Sequence, residues 1–277
     1  MAMSIRTNVA SLNAQRNLYS TQNALDSSLS RLSSGFRITK AGDDAAGLGI
    51  SSKLESQIRS YTQAVRNAND GLSVIQSTEA ALNEGANILT RLRELAMQSA
   101  SDGVGNSERQ YIKKESDALV NELQRISQVA DYNGTKLLIG GTATTLDFQI
   151  GIYATTNDQI TFTTLDATTG ASGLNVSGMD LSIKASALTA LASLDNALEK
   201  VSSARATLGA NGNRLTSAIS NIQSFAESLS AANSRIKDVD VAEETSRMSR
   251  SQILLQAGVS VLAQANQMPQ MALKLLG

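Results

Sequence analysis

The sequence predicts a mainly α protein of long antiparallel coiled-coil helices, with a small β-hairpin segment in the middle of the chain. Three observations carry that prediction. Every seventh residue from Ala187 to Ile236 is apolar without a break: Ala187, Leu194, Val201, Leu208, Leu215, Ile222, Leu229, Ile236. Apolar residues at this repeat mark a helix seam that faces other helices. Proline, the commonest helix breaker, occurs once, at Pro269. Aromatics make up 3 % of the chain, so the apolar residues are mostly Leu, Ile, Val and Ala, which suit helix seams rather than a bulky globular core.

From the N-terminus, Ile5, Val9 and Leu12 open an amphipathic stretch to Phe36, and Leu18, Leu25 and Leu32 form a seven-residue column with Leu29 beside it. A lone helix draws most of its stability from packing, so this stripe needs a partner. Ser33–Asp44 breaks the pattern with Gly35 and Gly42 and reads as a connector. Asp43 or Asp44 is placed to accept a bond from an orphan amide and cap the next helix.

That helix runs from Ala45 to about Ser99, with Leu54, Tyr61, Ala68, Ile75, Leu82, Leu89 and Ala96 in one column and Ile58, Val65, Leu72, Glu79 and Ala86 in the next. Asp70-Gly71 is a turn signal. The column keeps phase across it, so the helix is expected to continue. Phase is lost between Ala96 and Ile112, where Gly103 and Gly105 fall, and a true turn is expected. A third helix follows, with Ile112, Leu119 and Ile126 in one column and Leu123 and Ala130 in another.

From Asp131 to Asp180, Thr and Gly become frequent. Leu146, Phe148, Ile150 and Ile152 alternate with polar or small residues, as do Ile160 and Phe162, the period of a half-buried strand. Asn133-Gly134 is a hairpin-turn signal. A small set of hairpins without a core of its own is expected here.

The helix from Ala187 to Ile236 has a second column, Leu191, Leu198, Ile219 and Ala226, in which Arg205 is the exception. Its register passes unshifted through Gly209 and Gly212, which predicts one helix of about 75 Å at 1.5 Å per residue. After it, Asp240 with Glu243 fits a capping pair. Val241, Met248, Leu255 and Leu262 then lie seven apart, with Leu254, Val261, Met268 and Leu275 alongside. Pro269 is expected to kink or fray the last turns. The two amphipathic ends are alike in pattern and are expected to pair. The domain plan is residues 1–42 with 238–277 as a terminal coiled coil, 43–140 with 181–237 as a helical core domain, and 141–180 as a hairpin segment attached to that core.

Composition narrows the function. With 24 basic against 25 acidic residues there is no excess to neutralise phosphates, so nucleic acid is not an expected partner. There is no apolar run near the ~18 residues of a membrane span, so membrane insertion is not expected. The start, MAMSIRTNVASLNAQ, lacks the apolar core of a cleaved signal. Cysteine and histidine are both absent, which removes disulfides, thiol nucleophiles, and the commonest metal ligand and general base. No cofactor motif is present, and an enzyme is not expected. Asp43-Asp44 has no base, nucleophile or metal-ligand spacing near it. Asp238-x-Asp240 resembles the start of a calcium loop, but Glu243 stands where that loop needs glycine. Asn133-Gly134-Thr135 and Asn175-Val176-Ser177 fit a glycosylation pattern, with Asn133 better read as a turn residue.

Long stretches resemble the bacterial flagellins. They are SIRTNVASLNAQRNL, LSRLSSGFRITKAGDDAAGLGIS, NDGLSVIQSTEAALNE and LTRLRELAMQSA near the N-terminus, DYNGTKLL in the middle, and LGANGNRL and QAGVSVLAQANQMPQMALKLLG near the C-terminus. The likeness covers most of the chain outside roughly Ile139–Ala185, and is to a short form lacking the outer variable domains. It implies a secreted subunit that polymerises with itself into the hollow extracellular filament used for motility. It also implies export unfolded through the flagellar type III apparatus, a chaperone on the C-terminal helix, and cap and junction proteins as partners. By the same likeness Arg91, Leu95 and Glu115 match contacts of the host Toll-like receptor that detects flagellin, and Ser30–Ser51 matches the peptide sensed by a plant receptor kinase. Packing, and connector plus helix cap, are the better readings of their primary roles. A hook–filament junction protein is the alternative; LRELAMQ and the flagellin-like C-terminus argue against it. A membrane-inserting translocator would need an apolar segment the chain lacks.

Overall fold

In a computed structural model of the chain, residues 7–139 and 145–276 are described, without the side chains of 268–276. Among them are five α-helices: α1 (Val9–Ser34), α2 (Ala45–Ala100), α3 (Asn106–Val129), α4 (Lys184–Lys237) and α5 (Val241–Leu276). Two antiparallel pairs lie between α3 and α4: β1 (Asp131–Tyr132) with β2 (Thr135–Lys136), and β3 (Thr145–Gln149) with β4 (Gln159–Thr163). The mainly α class with a small hairpin segment is therefore the observed one. Helix α5 continues through Pro269 to Leu276. The chain divides into two compact units, Met1–Ile58 with Glu227–Gly277, and Arg59–Ala226.

The Arg59–Ala226 unit holds the continuous core. Helices α2 and α4 run antiparallel, as their cross-helix ion pairs show: Arg93 with Asp195 at 2.6 Å, Asp102 with Lys184 at 2.6 Å, and Glu79 with Arg205 at 3.8 Å. Glu79 and Arg205 are the charged interruptions of two otherwise apolar columns, and they face each other. Helix α3 folds back on α2, with Arg91 paired to Glu115 at 2.8 Å. The turn between them is held by Arg109, which is buried. Its Nε donates to the Ser99 carbonyl and its Nη2 to the Ser101 carbonyl, both at 2.9 Å. The Ser99 carbonyl lies in the last turn of α2, where no amide of the helix reaches it, and the Ser101 carbonyl follows in the turn, where it also accepts from the Val104 amide at 3.4 Å.

The seam residues Ile75, Leu82, Leu89, Ile112, Leu194, Val201, Leu208 and Leu215 all lie in this core, with Leu119 packed against it. Ile222 is buried, and Leu54, Tyr61, Ile126 and Leu229 are half-buried. Tyr61 stacks on Phe225, ring centroids 6.4 Å apart. The hairpin segment adds Ile160, Phe162, Leu174 and Val176 to the same core, and Leu181 follows just after it.

Asn133 and Gly134 take φ of 49° and 81°, the mirror-image turn that joins strands two residues apart. Asp70-Gly71, the other turn signal, is helical for a packing reason. A Cβ on Gly71 would sit 3.0 Å from the Phe148 ring, so the missing side chain is what lets the β3–β4 hairpin lie on α2. At Gly85 a Cβ would meet Leu123 at 3.4 Å, ordinary contact. Gly85→Ala should therefore stabilise the protein by about 1 kcal/mol through helix propensity. Leu215→Ala should cost about 2–5 kcal/mol by opening a cavity. Urea unfolding midpoints check both signs.

Candidate assembly surface

In the unit made by the chain ends, Asn8 starts α1. Its Oδ1 accepts from the Ser11 amide at 3.1 Å, while its Nδ2 donates to the Ala265 carbonyl of α5 at 2.8 Å. Leu18 approaches Gly258, where a Cβ would lie 3.5 Å from it, and Arg31 lies 3.9 Å from buried Glu244. The helices are thus antiparallel and in steady register over the full length of α1.

The far end is closed by the connectors. Gly35, in the left-handed region at φ 75°, ends α1. The Arg37 amide donates to the Lys237 carbonyl at 2.6 Å, and the Val239 amide to the Gly35 carbonyl at 3.0 Å, making a bridge at Phe36 and Asp238. Arg37 Nη2 donates to the Ile236 carbonyl at the end of α4. Lys237 Nζ pairs with Glu55 at 2.5 Å and lies 4.5 Å over the Phe36 ring. The two aspartates divide their work. Asp44 Oδ1 accepts from the Gly47 amide at 2.8 Å and caps α2. Asp43 Oδ2 accepts from the Thr39 and Lys40 amides and the Thr39 hydroxyl, all at 3.0 Å, and shapes the connector. At α5, Asp240 accepts from the Ala242 and Glu243 amides, but the Glu243 side chain turns to Arg247 instead of closing a reciprocal box.

Each helix of this hairpin carries two apolar stripes with different fates. On α1, Leu25 is buried and Leu18 and Leu32 are half-buried against α5, joined by the small buried residues Ser11 and Ser28. Val9, Leu12, Tyr19 and Leu29 point away, Tyr19 with 70 % of its surface exposed. On α5, Met248, Leu255 and Leu262 are half-buried, with Glu244 and Ala265 buried at either end of that line. Val241, Ile253, Leu254, Val259 and Val261 are exposed, Ile253 to 66 %. Among the described residues the buried hydrophobic side chains of this unit are Leu25, Ile38 and Ala265. Of the terminal residues the sequence singles out, Leu25, Leu32, Met248, Leu255 and Leu262 close the hairpin. Val9, Leu12 and Val241 do not, and Ile5 lies outside the described residues. The inward serines escape a search for large apolar residues, although Ser11 is the next step back in the Leu18–Leu25–Leu32 column.

Arg91 and Glu115 are exposed and joined by two hydrogen bonds, through Nε at 3.1 Å and Nη2 at 2.8 Å. Glu115 and then Glu94 hold the Arg91 guanidinium more firmly protonated than usual. Leu95 is 2 % exposed and belongs to the helical core, so it is not part of the surface that Arg91 and Glu115 share. Among the described residues no helix is long and apolar enough to cross a membrane, and no group of three or more His, Cys, Asp or Glu is placed to hold a metal.

The Thr39 and Lys40 amides, with the Thr39 hydroxyl, hold Asp43 below the ordinary carboxylate range. A depressed carboxyl stabilises the fold above its unfolded pKa, about 3.9, and that help is lost as pH falls through the folded value. Asp43→Asn should therefore lower Tm at neutral pH, with the gap to the parent chain closing below about pH 4. Thermal melts across pH 3–7 (roughly the span of a carboxyl titration) read this directly.

Comparison with known proteins places this geometry. Residues 5–143 match the family model for the bacterial flagellin N-terminal helical region, and residues 191–276 that for the bacterial flagellin C-terminal helical region. The chain is 40 % identical over 274 residues to a flagellin of Halalkalibacterium halodurans, covering 99 % of this chain and 100 % of that one. It is 42 % identical over 307 residues to a flagellin of Bacillus subtilis, again covering 99 % and 100 %. A crystal structure of Bacillus cereus flagellin is similar at 29 % identity and a TM-score of 0.48, over 61 % of this chain and 94 % of that one.

Proposed function

The chain belongs to the bacterial flagellin family, and from that premise we propose how its parts divide the work of the filament. It is a structural subunit that assembles with copies of itself into the bacterial flagellar filament and serves motility. The observation that carries the proposal is the second, uncovered stripe on α1 and α5. In our reading the terminal coiled coil, residues 1–42 with 238–277, is the inner assembly element. Residues 43–140 with 181–237, carrying the 141–180 segment, form the next layer outward.

The exposed stripes are large enough to matter for association. Among the described residues, nine large apolar side chains on the two helices are exposed: Val9, Leu12, Tyr19, Leu29, Val241, Ile253, Leu254, Val259 and Val261. Covering the remaining half of each yields roughly 1 kcal/mol apiece. A single association costs about 4–15 kcal/mol in lost freedom. The nine together are worth about 9 kcal/mol, the same order as that cost. The stripes lie on both helices, and contacts that do not close on themselves extend into a helical array.

By family resemblance we add a secreted, extracellular location reached through the flagellar export apparatus. On the same ground we add an export chaperone on α5, cap and junction proteins at the filament ends, and host flagellin receptors at Arg91 and Glu115. No observation favours the junction-protein alternative.

The test separates the stripes. Leu254→Ser with Val261→Ser should leave helicity and Tm close to the parent chain and abolish seeded filament growth seen by electron microscopy. Removal of Val241–Gly277 should abolish it too. Filaments of normal length from either variant would overturn the assignment. Leu255→Ser, on the inward stripe, should lower Tm as well.

A further inference from the structure

Four dipeptides in the chain place glycine after asparagine or aspartate: Asp70-Gly71, Asp102-Gly103, Asn133-Gly134 and Asn211-Gly212. All four carry the same latent chemistry. The glycine nitrogen can attack the preceding side-chain carbonyl, because no Cβ on the glycine hinders the approach. The structure treats them very differently.

Asp70-Gly71 and Asn211-Gly212 lie inside α2 and α4. Asn211 is buried and its side-chain oxygen accepts from Arg214 at 3.2 Å. In a helix the glycine nitrogen is engaged in the backbone ladder, and attack must wait for local unfolding. Asp102 lies in the α2–α3 turn, but Lys184 holds its carboxylate at 2.6 Å and keeps it ionised, a poor electrophile. Asn133-Gly134 has none of these restraints. Both residues are exposed at the tip of a two-residue turn. Neither the Asn133 side chain nor the Gly134 amide has a hydrogen-bond partner among the described residues. The turn rests on two residue pairs of β1 and β2, so opening it is cheap compared with melting a turn of buried helix.

We propose that Asn133 is a self-modifying site of the native chain, converting with water to aspartate and isoaspartate. Hydroxide removes the Gly134 amide proton. The Gly134 nitrogen then bonds to Asn133 Cγ, the Cγ–Nδ2 bond breaks, and the side-chain nitrogen leaves as ammonia with a proton from water. Water opens the resulting ring at either carbonyl. One opening restores the backbone with a carboxylate in place of the amide. The other leaves the backbone running through Cγ, one carbon longer. That longer backbone falls beside Leu137 and Leu138, each 1 % exposed, and beside the bond from the Leu137 amide to the Ala130 carbonyl at 3.1 Å. A two-residue turn cannot absorb the extra atom and keep the Tyr132–Thr135 pairing, so the isoaspartate form loosens the link between α3 and the hairpin segment.

The test is peptide mapping by mass spectrometry of the full chain after incubation in mildly alkaline buffer, folded and in denaturant, with isoaspartate scored separately. In the folded chain Asn133 should convert at least about a hundredfold faster than Asn211, since opening buried helix costs several kcal/mol. In denaturant the two should convert at similar rates. Asn133→Gln should remove the product at the cost of a slightly lower Tm, because asparagine tolerates a φ of 49° better than glutamine. Equal rates at Asn133 and Asn211 in the folded chain, or no conversion at Asn133 where the denatured chain converts, would overturn the proposal.

Discussion

The constraint on which the rest depends is that two helices can bury only one face against each other. Helix α1 needs α5, and their pairing consumes the Leu18–Leu25–Leu32 line on one side and Met248–Leu255–Leu262 on the other. Both helices carry a second apolar line, and among the described residues nothing in their own unit covers it. A chain built this way is stable as a hairpin and incomplete as a surface. Among the described residues the terminal unit buries few hydrophobic side chains, because each helix turns only one of its two apolar lines inward, whereas the Arg59–Ala226 unit has a continuous core from Ala68 to Leu215.

Register is the second requirement, because the outward line has value only if it stays outward. One residue of slip turns a helix by about 100° and would carry Leu254 toward the seam in place of Leu255. Specific contacts prevent this at intervals along the hairpin: Asn8 to the Ala265 carbonyl at one end, Arg31 near Glu244 at the other, and Leu18 packed opposite Gly258 between them. The core unit uses polar pairs too, among them Glu79 and Arg205, which interrupt apolar columns to meet each other. Both side chains are more than a third exposed, so the pair contributes little net stability and its value lies in favouring one register over another.

Periodicity made the helices legible: the unbroken columns of α2 and α4 overruled Asp70-Gly71 and Gly209–Gly212, and the structure agrees. It also located the α2–α3 turn, where the phase is lost. Periodicity did not reveal which apolar line faces which partner, since Leu254 and Leu255 differ by one position and not at all in chemistry. Only the antiparallel register with α1 decides between them. Arg109 was invisible for another reason. A charged residue early in a helix reads as solvated, and its burial follows from the carbonyls left open at the end of α2. Leu95 shows the converse: its motif resembles a recognition sequence, and its place in the seven-residue geometry puts it in the core beside exposed Arg91.

The glycines unite these points. Gly71 leaves room for Phe148, Gly258 for Leu18, and Gly134 supplies a positive φ for a two-residue turn. In a local reading all three are the same signal, a break. What separates them is the neighbour each one meets, and that neighbour comes from a distant part of the chain. Where glycine meets a ring or a leucine inside a helix, the helix continues and its backbone chemistry is locked. At Gly134, which meets nothing and takes a φ of 81°, the chain turns and the backbone stays open to solvent. The close approach that builds the core and the exposed turn tip that can be modified are therefore two outcomes of one residue choice, sorted by packing.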